Sequence, residues 1–262
     1  MTYDQAEFDV RCEWGAQGLK QLGTISDVIV IADVLSFTTA VDLATARGGM
    51  IFPYPLKNES AAEYAGSMNA KLAANRGARF SLSPASLRNL PAGYRLVLPS
   101  PNGAALSFGT DHPIVLAACL RNATACARAA AGLGSTVAVI PAGEEWPTGE
   151  LHPCVEDLVG ARALIAALFE ERAKRSAPRN VPDLSGARGA PFALPGSRSP
   201  EAVLAVAAFD GFRKDLTQAL RQSASGKKLS ERRFGLDIDV ASDLNVSRNV
   251  PRLVDRVFVA QD

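Results

Sequence analysis

The chain reads as an α/β protein, a layered and mainly parallel or mixed sheet with helices on both faces. Three observations carry that reading. Short β-branched runs, clearest at residues 28–31 (Val-Ile-Val-Ile), are too short for free helices and suit strands buried on both faces. Small-residue or amphipathic stretches of helical length lie between them. Over most of the chain the two kinds of segment alternate, as in βαβ units.

Residues 8–14 read as a first strand and 15–22 as a short helix or loop leading to the central strand at 28–31. That strand runs into Asp33, then the polar turn of Ser36, Thr38 and Thr39, then a small-residue helix over 40–46 closed by Gly48-Gly49. A second strand follows at 50–53 and a helix over 57–74, with Asn58 as its cap. Residues 76–93 are turn-rich, 95–98 a strand, 114–118 another, and 136–140 a further one after an alanine-rich helix ending near Gly132. A helix over 153–172 carries the stripe Val155, Leu158, Ala161, Ile165 and Leu168, with Pro153 suited to its first turn. Residues 201–222 read as a helix, 225–233 as a basic turn and short helix, and 256–260 as a terminal strand. The whole chain, 1–262, reads as one domain. Two lobes would join at a Pro/Gly/Arg-rich loop at 174–200, a linker, surface loop or lid with five prolines and three glycines.

Composition removes several function classes. Net charge is +1, so no basic field recruits nucleic acid, and no apolar run approaches the roughly 18 residues of a membrane span. The first nine residues lack the basic-then-apolar form of a signal peptide, and a cytoplasmic location is expected. Cys12, Cys119, Cys126 and Cys154 show no CxxC spacing and there are two histidines, leaving little material for a Cys/His zinc site. Small buried thiols are the expected state, and any metal should be a hard cation on oxygen ligands. There is no GxxxxGK[ST] loop, no strand-linked GxGxxG and no GxSxG elbow. The aspartyl-phosphate phosphatase pattern also fails, since its second Asp falls on Leu35.

What remains is a convergence of polar strand-to-helix junctions: residues 33–39, 100–103, 121–122 and 143–157. In a parallel sheet they share one edge, where ligands bind and helix N-termini offer unpaired N–H groups to anions. Each has a plainer reading. Asp33 also serves as a helix cap, Asn102-Gly103 is a hairpin-turn pair, Asn122 caps its helix, and Glu156 and Asp157 suit a first helical turn. The latter two sit about 100° apart on a helix; Asp157 borders the apolar stripe and is the better placed, with Glu156 second. His152 is an acid, a base or an exposed loop residue.

Taken together, these junctions resemble the 2-phosphosulfolactate phosphatase (ComB-like) family. The family's Asp-Val-Leu-Arg-Ala-Thr-Thr corresponds to Asp33-Val-Leu-Ser-Phe-Thr-Thr39, and its Thr-Asn-Gly-Thr loop to Ser100-Pro-Asn102-Gly103-Ala104. Its Asn-Ala turn corresponds to Asn122-Ala123, its Ala-Gly loop and Glu-Asp-Leu helix to Ala142-Gly143 and Glu156-Asp157-Leu158, and a C-terminal series to Leu229, Asp239-Val240 and Val250-Pro251. The resemblance implies a magnesium-dependent phosphoric monoester hydrolase acting on a small, doubly anionic phosphorylated acid such as 2-phosphosulfolactate. Under it, Asp33, Asp157 and Glu156 are catalytic, and Asp33 and Asp157 hold Mg²⁺. Ser36, Thr38, Thr39, Ser100, Asn102, Gly103, Arg121, Asn122 and Gly143 bind substrate. The expected partner is that substrate, with neither nucleic acid nor membrane; homo-oligomerisation stays open. Two departures stand out: Ser36-Phe37 replaces Arg-Ala, with Arg121 expected to supply the missing cation, and a Gly-Glu region is reduced to Arg76-Gly77. A non-catalytic anion-binding paralogue is the alternative.

Overall fold

The computed structural model describes residues 5–176, 197, 199–212 and 214–261. Strands β1 (Val10–Cys12), β2 (Val28–Ala32), β6 (Val115–Ala118) and β7 (Val137–Pro141) pair in parallel, and β3 (Met50–Tyr54), β4 (Lys71–Leu72) and β5 (Arg95–Pro99) form a second parallel group. A hairpin, β10 (Pro251–Val254) and β11 (Val257–Ala260), joins them by antiparallel pairing to β6 and β3. The nine-stranded order is β1-β7-β2-β6-β10-β11-β3-β5-β4. The α/β expectation holds in its mixed form.

The hairpin decides the geometry. Counting pairing senses from β2, the group β3, β4 and β5 runs opposite to it, so the polar junctions do not share an edge through parallel alignment. Strand twist of about 20–25° per step accumulates to on the order of 90° from β2 to β3. Helix α4 (Gly103–Phe108), which follows β5, packs against β2, β3 and β5. The loop after β5 therefore still reaches the end of β2.

Period-2 burial in β2 explains the layers. Val28, Val30 and Ala32 face a core shared with α5 (Ala123–Leu133) and α6 (Val155–Ser176), while Ile29 and Ile31 face one shared with α1 (Gly15–Gly23) and α4. All five residues are buried, as a strand covered on both faces requires. Helix α2 (Phe37–Thr45) covers the other strand group, with Phe37 edge-on to Phe258.

Several boundaries differ from the sequence reading. The helix expected over 57–74 is α3 (Glu59–Ser67); Asn69 takes a left-handed φ of 48°, which Asn tolerates, and the chain re-enters the sheet as β4. In α6, Ala161, Ile165 and Leu168 are buried as expected, whereas Val155 is exposed, and the helix continues to Ser176. The expected loop at 174–200 otherwise falls mostly outside the described residues. The helix expected over 201–222 divides into α7 (Pro200–Phe212) and α8 (Leu216–Gln222), the latter capped by Asp215, whose carboxylate accepts from Gln218 N–H. Helices α9 (Ala224–Glu231) and α10 (Gly235–Ser242) complete a small helical layer over α6. Among the described residues no helix is long and apolar enough to cross a membrane.

Candidate functional site

Two carboxylates tie four segments together. Asp33, just past β2, accepts the N–H of Phe37 at Oδ1 (3.1 Å) and that of Gly103 at Oδ2 (2.8 Å). Asp157, in the first turn of α6, accepts Val34 N–H at Oδ1 (2.7 Å) and Gly143 N–H at Oδ2 (2.9 Å). Each oxygen thus takes one backbone N–H and keeps lone-pair capacity for another partner. The glycines are steric requirements. A Cβ on Gly103 would stand 2.8 Å from Asp33 Cβ and Oδ2, and one on Gly143, whose φ is 68°, would stand 2.8 Å from His152 O.

Asp33, Glu156 and Asp157 are all buried. The 100° between Glu156 and Asp157 does not send either of them to solvent; in the first turn of α6 it is Val155 that faces out. Burial raises the Asp157 carboxyl well above the ordinary range, and the charges of Asp33 and Glu156 add to the rise against the two N–H bonds. Asp33 is raised chiefly by burial, partly offset by the Gly103 and Phe37 N–H groups, with Glu144 and Glu156 adding. A desolvated set of like charges of this kind is stable once a proton or a cation compensates it.

A cation with no site role in the sequence reading, Arg76, reaches the turn after Asp33. Arg76 donates to Ser36 Oγ (2.9 Å) through one terminal nitrogen and to Asp237 Oδ2 (2.8 Å) through the other. Asp237 is buried and also accepts from Ser83 Oγ and Ala85 N–H at Oδ1. Burial lowers the Arg76 guanidinium, and Asp237 and Asp33 pull it back up, so Asp33 lies within its field. The only sequence signal was an arginine between Asn75 and Gly77 in a turn-rich stretch, and that signal does not name a partner.

Four of the expected substrate contacts have hydrogen-bond partners within the chain. Arg121 is committed to Asp42 (3.2 Å), Asp243 (3.0 Å) and the Val240 carbonyl (2.9 Å). Asn122 is buried, accepting Cys119 N–H and donating to the Ala117 and Asn249 carbonyls. Thr38 and Thr39 donate their hydroxyls to the carbonyls of Asp33 and Val34, which closes the turn after β2. Thr38, Thr39 and Asn122 are buried and spend these groups on the framework, and the partly exposed Arg121 is tied into it by its three contacts. Ser100 is buried and accepts Asn102 N–H. Ser36, Asn102, Gly103 and Gly143 do come together around the carboxylates or at their margin. A cavity of about 880 Å³ between α1 and α4 is lined in part by Asn102, Gly143 and Glu144, but neither Asp33 nor Asp157 is among its described lining residues.

The four cysteines are free and buried, as expected. Cys154, however, is grouped with His152 and Glu144, two donor types that the count of cysteines and histidines had discouraged. The ribbon of β8 (Glu144–Glu145) and β9 (Leu151–His152) creates this grouping.

No curated protein matches the chain. The family profile described as 2-phosphosulpholactate phosphatase matches residues 16–256, a span that holds every residue of the carboxylate cluster and Arg76. The chain belongs to the 2-phosphosulpholactate phosphatase family.

Proposed function

We propose that the protein is a magnesium-dependent hydrolase that releases phosphate from a small, doubly anionic phosphorylated acid, with 2-phosphosulfolactate the first substrate to test. A single observation carries this reading beyond the family match. Asp33 and Asp157 are buried within each other's field, each held by two backbone N–H groups, with Glu156 a third buried carboxylate and the Arg76 guanidinium on Ser36 in the same turn.

The donor set suits a hard divalent cation: carboxylate oxygens only, desolvated, each with lone-pair capacity left. Asp33 and Asp157 would hold Mg²⁺, which when bound neutralises charge on the phosphoryl oxygens. The residues of the chain do the rest. The Gly103 and Gly143 N–H groups fix the two carboxylates so that no side-chain rearrangement accompanies the reaction. Arg76, steadied by Asp237, presents its guanidinium at Ser36 and binds an anionic substrate group as the arginine missing from position 36 would. Asn102, half-buried at the start of α4, faces the cavity and contacts the substrate acid. Glu156 accepts a proton from the attacking water as the water oxygen bonds to phosphorus and the ester P–O bond breaks, and it returns that proton to the departing ester oxygen.

Phosphate release is measured on the full chain with 2-phosphosulfolactate, phospholactate and phosphoglycerate, with magnesium and with EDTA. Magnesium-dependent turnover of one compound supports the reading and ranks the substrates. Silence across the panel from folded protein transfers the site to a binding role.

A further inference from the structure

A second set of ligating atoms, none of them from Asp33 or Asp157, borders that carboxylate pair. In the β8–β9 ribbon, Glu144 lies directly opposite His152, so their side chains leave the ribbon on the same face. Two residues on, Cys154 is buried immediately before α6. Its Sγ lies 3.8 Å from His152 Nδ1, and one ligand atom from each of Glu144, His152 and Cys154 lies within 4.8 Å of the others. Among the described residues this is the sole such group of three.

The surroundings hold the donors in place. Trp146 lies against the His152 ring with centroids 4.0 Å apart. Ser225 Oγ donates to Glu144 Oε1 (3.3 Å) and lies 4.0 Å from Cys154 Sγ. Outer contacts of this kind orient ligands at metal centres.

We propose that Glu144, His152 and Cys154 form a binding site for a borderline divalent transition metal of the Zn²⁺ type. The donor chemistry selects the ion. A thiolate, an imidazole and a carboxylate suit Zn²⁺ and its congeners, whereas Mg²⁺ requires an oxygen shell. Bonds of about 2.0–2.3 Å in a tetrahedral site set ligand atoms roughly 3.3–3.8 Å apart. The sulfur–nitrogen separation already meets this, and the remaining gaps close by about 1 Å or less through rotation of the half-buried Glu144. Lys228 Nζ, 3.7 Å from Glu144 Oε2, is on a side chain more than half exposed and swings to solvent when the ion replaces it. On binding, the thiol proton leaves to solvent and the sulfur–metal bond forms. Three protein ligands leave a fourth position for water or an anion. The site needs nothing from the phosphatase reading, and either can fail without the other.

The test titrates the full-length protein with Co²⁺, whose thiolate complex gives a near-ultraviolet charge-transfer band. One equivalent should produce that band, Zn²⁺ should abolish it, and excess Mg²⁺ should leave it intact. Cys154→Ser should lose the band while Cys126→Ser keeps it. His152→Gln, at a half-exposed position that the fold tolerates, should weaken Co²⁺ and Zn²⁺ affinity by about 100-fold or more. The proposal is overturned if wild-type protein gives no thiolate band, if Cys154→Ser retains it, or if His152→Gln binds as tightly as wild type.

Discussion

Replacing Arg76 by alanine separates its ion pair with Asp237 from the substrate contact proposed for it. The carboxylate of Asp237 is 1% exposed, and its Oδ2 takes Arg76 while its Oδ1 takes Ser83 Oγ and Ala85 N–H. Arg76→Ala leaves that anion desolvated with two neutral donors. Breaking a buried ion pair from one side costs about 3–5 kcal/mol, and the 20% exposure of Arg76 places this pair near about 3 kcal/mol. For a chain of this size that is a fall in Tm of roughly 6–12 °C by calorimetry. Asp237→Asn in the same chain keeps Oδ1 for Ser83 and Ala85 and turns its amide nitrogen toward the vacated space, so the double variant should recover most of the lost stability. Activity should not recover. A charge-assisted bond to substrate contributes about 1.5–3 kcal/mol, so kcat/KM should stay roughly 10- to 100-fold down in both variants. A double variant with wild-type kcat/KM would show that Arg76 acts only through Asp237. A single variant with wild-type Tm would refute the burial of the pair.

Gly103→Ala pushes a methyl against Asp33 and should reduce phosphate release at least about 10-fold, with Tm lowered; unchanged turnover would contradict the close approach. Gly66→Ala, in the last turn of α3 with nothing within 4 Å of the new Cβ, should raise stability by about 0.5 kcal/mol and leave turnover unchanged. Asp27 accepts hydrogen bonds from Ser135 and from the Thr136 backbone, which hold its carboxyl down at about 2 from an ordinary 3.8. A depressed folded-state value contributes stability above the ordinary value and loses it as pH falls toward 2. Asp27→Asn should therefore lower Tm at neutral pH, with the deficit shrinking as pH falls below about 4 and vanishing only below about 2 in a thermal melt series.

The legible parts of this chain were those fixed by local pattern. A β-branched run ending in a carboxylate placed Asp33 at the end of a doubly buried strand, and Gly103 and Gly143 lay in polar junctions whose backbone the fold brings to the carboxylates. What escaped depends on partners distant in sequence. The β10 strand has four residues, starts at a proline, and exists through pairing with β6 and β11, so no local period announces it. Arg76 and Arg121 look alike in a sequence; only the fold sends one to Ser36 and the other to Asp42. Glu144, His152 and Cys154 meet because of a two-residue ribbon whose register no composition count contains.

The account rests most heavily on Asp33 and Asp157 as a cation-holding pair at the centre of phosphate release. Asp33→Asn retains an acceptor for one backbone N–H while removing the charge. Turnover of 2-phosphosulfolactate against magnesium concentration, for wild type and this variant, is the direct measurement. The account predicts saturable magnesium dependence in wild type and a loss of about 1,000-fold or more in the variant, the scale expected when a site loses its preorganised electrostatics. Wild-type turnover that persists in EDTA, or in Asp33→Asn, would contradict it.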